Sequence, residues 1–264
     1  MSSVLHIIKI GGNVIDSPNN LDDFLEKFSA LQGKKILVHG GGKIATRIAS
    51  RLGIEAQMVE GRRVTDEKML EVVTMVYAGL TNKTVVAKLQ MFGCDAIGLS
   101  GADANTIKAI RRPAREVDYG FVGDILADSV NVLSIKRILE SGLTPVFSAI
   151  THNGLGQLLN TNADTIASSL AIALSKTFET RLIYCFEKNG VLRDVEDDNS
   201  VIRSIKLGEF EDLKGAGVIY EGMIPKLENA FYAIGKGVKN VYIGKAVNLH
   251  KYQQGEFGTC LLST

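Results

Sequence analysis

Apolar runs alternate along the chain with segments whose apolar residues recur at helical spacing. Apolar, β-branched runs predict strands at residues 4–10, 35–38, 96–99, 146–150, 180–186, 238–243 and 258–262. Helical spacing predicts helices at residues 21–31, 43–52, 66–92, 130–141, 165–174 and 225–235. Because strands that alternate with helices form parallel sheets covered on both faces, the pattern predicts an α/β fold with an open, mostly parallel sheet.

Two of the predicted strands end in glycine. The first carries Lys9 near its end and stops at Gly11-Gly12. The second stops at Gly40-Gly41-Gly42, directly before a predicted helix. Glycine backbone at a helix N-terminus lets anionic oxygens approach N–H groups closely. A lysine at a strand end either meets such an anion or extends its ammonium into solvent, and the pattern leaves both interpretations open for Lys9.

The overall composition excludes several classes of protein. The length of 264 residues suits one large α/β domain or two closely joined lobes. A net charge of +1 favours neither a nucleic-acid partner nor a membrane surface. The three cysteines are odd in number and widely spaced, so neither a disulfide framework nor a zinc site is predicted. With no secretory signal pattern, we expect a cytoplasmic protein.

Charged side chains outside the glycine loops have alternative interpretations. Arg62 and Arg63 follow a predicted turn at Glu60-Gly61. They are either a solvated charge pair, or one of them binds a carboxylate from a loop that folds over the site as a lid. The basic residues Lys108, Arg111, Arg112 and Arg115 predict a solvated edge.

Two further polar segments sit at predicted helix starts. Residues 160–164 read Asn-Thr-Asn-Ala-Asp at the start of an apolar helix, where Asp164 serves as a cap or belongs to a polar site. Lys226 falls in the first turn of another helix, where the helix dipole disfavours a cation unless an anion is near.

The second glycine loop also fits a dinucleotide-binding pattern. Gly40, Gly42 and Ala45 match G-x-G-x-x-A, and Glu60 lies at about the spacing of a ribose-binding acid. However, a β-α unit precedes this loop, and Glu60 lies beside a turn rather than at the end of a strand. No P-loop pattern occurs in the sequence. Separated glycine loops and two lysines instead suit phosphoryl transfer, which needs the charge of the transferring group neutralised.

Seven motifs in order resemble those of the acetylglutamate kinase family, within the amino acid kinase superfamily. They are Lys9-Ile10-Gly11-Gly12, His39-Gly40-Gly41-Gly42, Gly61-Arg62-Arg63-Val64-Thr65, Asn82-Lys83, Gly120-Phe121-Val122-Gly123-Asp124, Asn160-Thr161-Asn162-Ala163-Asp164 and Gly222-Met223-Ile224-Pro225-Lys226. The resemblance implies a three-layer α/β/α sandwich, with acyl-amino-acid binding and dimerisation at residues 1–175 and ATP binding at residues 176–264. It implies ATP-dependent phosphorylation of the side-chain carboxylate of an N-acyl-L-glutamate, as in arginine biosynthesis.

The resemblance also implies roles for single residues. Lys9 and Lys226 would stabilise the transferring phosphoryl group, and Asp164 would hold the two lysines. The acceptor would be bound by Gly41, Gly42, Arg63 and Asn160. The phosphates and nucleotide would be bound by Gly11, Gly12, Gly222 and Met223. The implied cofactors are ATP and a Mg²⁺ ion carried by the nucleotide.

Several features stay open at this stage. After Leu182-Ile183-Tyr184 the family usually shows Thr or Ser, Asp and Val. This chain has Cys185-Phe186-Glu187 there, so the nucleotide contacts at this position are not assigned. The chain starts almost on its first strand, and we expect a homodimer with weak or no arginine feedback. Acetyl is the default acyl group, and N-succinylglutamate is an alternative acceptor. A non-catalytic amino-acid sensor on the same fold is the alternative of another class.

Overall fold

The computed structural model describes residues 3–219 and 223–263. By internal packing the chain divides into two compact units, the first formed by Met1–Lys35 with Ala167–Thr264 and the second by Ile36–Ile166. The sequence analysis placed a boundary near residue 175 between a lobe that binds the acyl amino acid and a lobe that binds ATP. That assignment of ligands to lobes stays a prediction.

The helices and strands follow the predicted alternation closely. The strands are β1 (Val4–Ile10), β2 (Lys34–His39), β3 (Met58–Val59), β4 (Arg62–Arg63), β5 (Ala96–Leu99), β6 (Ile110–Arg111), β7 (Gly123–Asp124), β8 (Thr144–Phe147), β9 (Ile150–His152), β10 (Leu158–Asn160), β11 (Glu179–Phe186), β12 (Ser204–Lys206), β13 (Asn240–Lys245) and β14 (Thr259–Leu262). The α-helices are α1 (Gly12–Ile15), α2 (Pro18–Ala30), α3 (Gly42–Arg51), α4 (Glu67–Val73), α5 (Asn82–Met91), α6 (Val132–Glu140), α7 (Ala163–Leu174), α8 (Leu207–Gly215) and α9 (Ile224–Gly235).

In the first unit the strands lie in the order β12-β14-β13-β11-β1. All neighbours are parallel except β13 and β14, which are antiparallel. The apolar residues of β1 after Val4 are fully buried, as expected of a parallel strand covered on both faces. The register of β1 on β11 places Lys9 opposite Tyr184 and Ile10 opposite Cys185. The residues that follow these two strands therefore emerge at the same edge of the sheet.

The helices of the first unit begin at sequence signals of the expected kind. The Ser17 hydroxyl accepts from the backbone N–H of Asn20, Pro18 opens α2, and α2 buries one stripe of apolar side chains. Helix α9 begins at Ile224 with Pro225 in its first turn, which confirms the predicted start and places Lys226 in the first turn as well. Helix α2 packs on a 3-10 helix over Ala246–Gln254, and α9 packs on β13 and β14.

In the second unit the strands β2, β8 and β5 are parallel neighbours. Short antiparallel pairs of strands surround them: β3 with β4, β6 with β7, and β9 with β10. The turn between β3 and β4 uses Glu60 and Gly61 with φ of 50° and 72°. Positive φ at both central residues is typical of tight hairpin turns, and the turn predicted at this position is confirmed.

The long helix predicted over residues 66–92 is three consecutive segments. A π-helical segment over Thr74–Thr81 separates α4 from α5. A π-helix adds residues to each turn without ending the helix, and a 3.6-residue pattern of apolar positions does not reveal this. The strand predicted at 146–150 is likewise wrong in detail, because β8 ends at Phe147 and β9 begins at Ile150.

The part of the chain that the structure describes has no helix of the length and apolar character that crossing a bilayer requires.

Candidate active site

The second glycine loop joins the end of β2 to the start of α3 in the second unit. Gly41 precedes the first residue of α3, and its carbonyl accepts the N–H of Ala45. A Cβ atom at position 41 would lie 2.9 Å from Cδ1 of Tyr77, which belongs to the π-helical segment. Only glycine fits this place without displacing the ring, so the backbone of the loop packs directly against Tyr77.

His39 and Asn82 hold the glycine loop in place through hydrogen bonds. The Asn82 side-chain amide lies 3.0 Å from His39 Nε2 and also donates to the carbonyl of Val146 at 2.9 Å. Because the amide donates to Nε2, the imidazole proton is on Nδ1, which donates to the Gly40 carbonyl at 2.7 Å. Burial lowers the pKa of His39 to about 4, although the hydrogen bond to Gly40 opposes this. A neutral imidazole therefore holds the loop at physiological pH.

Arg63 connects the β3–β4 hairpin to the helix that follows the glycine loop. Its Nη2 donates to the Gly42 carbonyl at 2.9 Å and to Thr46 Oγ1 at 2.7 Å. Arg63 is buried whereas Arg62 is exposed, because alternate residues of a strand face opposite sides. The interpretation as a solvated charge therefore fits Arg62 and does not fit Arg63.

Asn160 lines one cavity together with Arg63 and the glycine loop. Its amide donates to Thr65 Oγ1 at 3.0 Å, and the Thr65 hydroxyl donates to the carbonyl of Arg63 at 3.1 Å. The cavity has a volume of about 240 Å³. Its lining includes Gly41, Gly42, Arg62, Arg63, Tyr77, Arg112, Val122, Asp124 and Asn160. The structure thus brings all four predicted acceptor-binding residues to one cavity.

Asp164 lies in the first turn of α7, and it is not the cap of that helix. The side-chain oxygen of Asn162 accepts the N–H groups of Asp164 and Thr165 at 2.8 and 3.1 Å. Asn162 therefore makes the capping interaction that the sequence suggested for Asp164.

In the first unit, Lys9 and Lys226 share one aromatic ring. Lys9 Nζ lies 5.5 Å and Lys226 Nζ 4.2 Å from the ring centre of Phe186. Lys9 is buried and Lys226 is exposed. The structure therefore brings together two lysines that are far apart in sequence, and their role as a phosphoryl-binding pair stays a prediction. The sequence did not identify Phe186 as a neighbour of the two lysines. Its place at the end of β11, next to β1, was a signal that could have indicated this.

The other predicted phosphate-binding residues of this unit lie at helix starts. Gly11 precedes α1, and a Cβ atom there would lie 4.0 Å from Lys9 Nζ, at ordinary contact distance. Gly12 is the first residue of α1, and Met223 directly precedes α9. Gly222 lies outside the residues that the structure describes.

Arg112 corrects the prediction of a solvated basic edge. Its side chain is 20% exposed, and its Nε lies 3.1 Å from each carboxylate oxygen of Asp124 across the β6–β7 pair. The hydrogen bond to Asp124 raises the pKa of Arg112, and the guanidinium carbon lies 5.4 Å from the Tyr119 ring centre. Arg111 and Arg115 are exposed, as predicted for a solvated edge. The sequence missed Arg112 and Asp124 as cavity residues because their pairing depends on the hairpin.

The dinucleotide interpretation of the loop does not fit this geometry. Glu60 occupies the exposed tip of the β3–β4 turn rather than the end of a strand next to β2. It is therefore not placed as a ribose-binding acid of the kind that this pattern requires.

Comparison with known proteins identifies the family of this site. The model of the Amino acid kinase family matches residues 5–245. The chain belongs to this family. Among amino acid kinases it is similar to proteins named acetylglutamate kinase. It is 55% identical to that of Cytophaga hutchinsonii over 93% of this chain and 92% of the relative. It is 51% identical to that of Bacteroides fragilis over 95% of each chain.

Solved structures of amino acid kinase fold agree with the architecture. The structure of smu.665 from Streptococcus mutans has a TM-score of 0.78 at 26% identity and covers 98% of this chain and 99% of its own. Carbamate kinase from Giardia lamblia has a TM-score of 0.71 at 14% identity, covering 100% of this chain and 99% of its own, and shows the fold alone. The predicted α/β sandwich with a mostly parallel sheet is confirmed.

Proposed function

We propose that this amino acid kinase transfers the γ-phosphoryl group of ATP to the side-chain carboxylate of an N-acyl-L-glutamate, acetylglutamate by default. The products are an acyl phosphate and ADP, and the reaction belongs to arginine biosynthesis. The observation that carries the proposal is the similarity to acetylglutamate kinases at 50–55% identity over more than nine-tenths of the chain. The cavity and the lysine pair supply the chemistry that this reaction needs.

The acceptor carboxylates require cations and backbone donors rather than a general base. A glutamate side chain has a pKa of about 4, so it is already a nucleophilic anion near neutral pH. We assign the acceptor to the cavity of the second unit, where Arg63 supplies a planar guanidinium and Asn160 an amide. The backbone N–H groups of Gly41 and Gly42, which line the same cavity, are assigned as the remaining donors.

The lysine pair supplies the charge for the phosphoryl group. Two ammonium groups over one ring concentrate positive charge, which suits the negative charge that the equatorial oxygens of a transferring phosphoryl group gain. We assign this role to Lys9 and Lys226, and the family resemblance gives Asp164 the role of holding them. Gly11, Gly12, Gly222 and Met223 are assigned to the phosphates and nucleotide.

Magnesium enters this proposal with the nucleotide. Mg²⁺ is commonly held by substrate phosphates together with few protein carboxylates, and when bound it neutralises charge on the transferring phosphates. Among residues 3–219 and 223–263, no group of three or more His, Cys, Asp or Glu side chains is placed to hold a metal ion.

A coupled assay of ADP release tests the proposal. We expect turnover with acetylglutamate and little with glutamate, aspartate or carbamate. Lys9→Ala and Lys226→Ala should each lower kcat by about 100- to 1000-fold at unchanged melting temperature. Lys236→Ala is the matched control, because Lys236 also lies over a ring, that of Tyr232, at the other end of α9. Near-normal turnover in both lysine variants would refute the assignment.

The same samples separate the alternatives. A sensor would bind an acylglutamate in calorimetry without ADP release, and a dehydrogenase would bind NAD more tightly than ATP. We further propose a cytoplasmic homodimer with weak or no arginine inhibition. A hexamer in light scattering, or inhibition by micromolar arginine, would contradict this part.

A further inference from the structure

Arg63 is a buried cation that the protein holds through uncharged groups. Its Nη2 donates to the Gly42 carbonyl and to Thr46 Oγ1, and its Nη1 lies 3.8 Å from Met69 Sδ. Burial raises the pKa of Tyr77, although Arg63 opposes this, so the phenol is neutral at physiological pH. In the part of the chain that the structure describes, Arg63 forms no ion pair with a carboxylate. The protein therefore orients this charge without neutralising it.

The guanidinium lies at a place that is unfavourable for a cation unless local acceptors hold it. Gly42 is the first residue of α3, and a helix dipole disfavours positive charge at the N-terminus. The two hydrogens of Nη2 have two acceptors, the Gly42 carbonyl at 2.9 Å and Thr46 Oγ1 at 2.7 Å. Because both hydrogens are used, this end of the fork is fixed, and a carboxylate in the cavity has to bind through Nη1 or Nε.

Thr46 closes a triangle of hydrogen bonds with these two groups. Its hydroxyl donates to the Gly42 carbonyl at 3.0 Å and accepts from Arg63 Nη2. A hydroxyl can donate and accept at the same time, and it carries no charge, whereas a carboxylate in its place would neutralise the guanidinium. The Thr46 side chain is exposed, so it contributes little to the core.

The simpler interpretation is that the Thr46 hydroxyl only binds the carbonyl one turn earlier, as threonines inside helices often do. Thr84 on α5 is an example, because it is exposed and its hydroxyl donates to the Leu80 carbonyl at 2.7 Å. Thr46 differs from Thr84 in that it also accepts a short hydrogen bond from an arginine. The comparison of the two threonines therefore isolates the contact with Arg63.

We propose that Thr46 is a positioning residue for acceptor binding, whose hydroxyl holds the Arg63 guanidinium in the orientation that meets a carboxylate of the acceptor. Thr46 acts through Arg63 and has no part in bond making. The inference rests on the proposed function, since it takes the cavity of the second unit as the acceptor site.

The test is steady-state kinetics with acetylglutamate on Thr46→Val, which keeps the shape of the side chain and removes the hydroxyl. The KM for the acceptor should rise about 5- to 50-fold, the lower part of what one hydrogen bond to a charged group supplies, because the Gly42 carbonyl still accepts from Nη2. The kcat, the KM for ATP and the melting temperature should change little. Thr46→Ser, which keeps the hydroxyl, should restore the acceptor KM to within about threefold of wild type. Thr84→Val is the matched control and should change none of these values.

A double-mutant cycle separates positioning of Arg63 from a general effect on the helix. In an Arg63→Met background, Thr46→Val should change kcat/KM for the acceptor by less than about twofold, because no guanidinium is left to orient. An unchanged acceptor KM in Thr46→Val, an equal loss in both backgrounds, or a Thr46→Ser protein as impaired as Thr46→Val would each overturn the role of Thr46 while leaving acylglutamate phosphorylation intact. No turnover of any acylglutamate by the wild-type protein would instead overturn the proposed function, and this inference with it.

Discussion

Asn82→Ala tests whether the His39–Asn82 pair positions the glycine loop for the acceptor. Asn82 is 1% exposed, and one amide serves both His39 Nε2 and the Val146 carbonyl. Alanine leaves both acceptors buried without a donor. It also frees the imidazole proton to move from Nδ1, and the Gly40 carbonyl then loses its partner.

The magnitude follows from the groups left unpaired. Each buried polar group without a partner costs about 1–3 kcal/mol, so with two such groups we expect Asn82→Ala to lower the free energy of unfolding by about 2–6 kcal/mol. For a chain of this length this is a fall in Tm of roughly 4–24 °C. If the loop moves, the KM for the acceptor should rise about tenfold, while the KM for ATP changes less than about twofold.

The assay is steady-state kinetics well below the melting transition, together with Tm by differential scanning fluorimetry. Thr84→Ala is the matched control, because Thr84 lies on the same helix but is exposed and donates only to the Leu80 carbonyl. A lower Tm with unchanged KM for the acceptor would show that the pair only stabilises the fold, and the positioning argument would fail.

Three further predictions come from other contacts. Phe186→Leu removes the ring shared by the two lysines and should lower kcat about 3- to 30-fold, since a cation–π contact contributes roughly 0.5–2 kcal/mol; kcat equal to wild type would exclude a role for the ring. Gly41→Ala should displace Tyr77 and weaken acceptor binding in calorimetry, whereas Gly53→Ala, in open space, should not affect binding. Stability should fall on acidification, because burial lowers the pKa of His6 and of His39 to about 4. The unfolded chain then binds more protons below pH 6.5, so urea denaturation should show a loss of about 2 kcal/mol per histidine between pH 7.5 and pH 5; a flat profile would contradict the buried neutral state.

The sequence predicted those features that depend on neighbours along the chain. The glycine ends of β1 and β2, the turn at Glu60-Gly61 and the start of α9 at Pro225 are local signals, and each was confirmed. The likeness to a family then supplied roles that no local pattern could assign to Arg63 or Asn160.

The features that the sequence missed depend on residues brought together by the fold. Arg112 and Asp124 are twelve residues apart and meet only because β6 pairs with β7. Asn82 acts on His39 across 43 residues, and its two acceptors are visible only in three dimensions. The π-helical segment escaped for another reason, since its apolar residues keep an ordinary helical pattern.

The close approach of Tyr77 to Gly41 divides the acceptor cavity into a rigid side and an adaptable side. At the glycine loop, backbone and ring are in contact, so a side chain at position 41 would displace the Tyr77 ring. At the β6–β7 pair, the cavity ends in two side chains on a hairpin, which can be exchanged without moving backbone. New acceptor preferences, whether reached by natural drift or by design, should therefore accumulate on the hairpin while the glycine loop stays fixed.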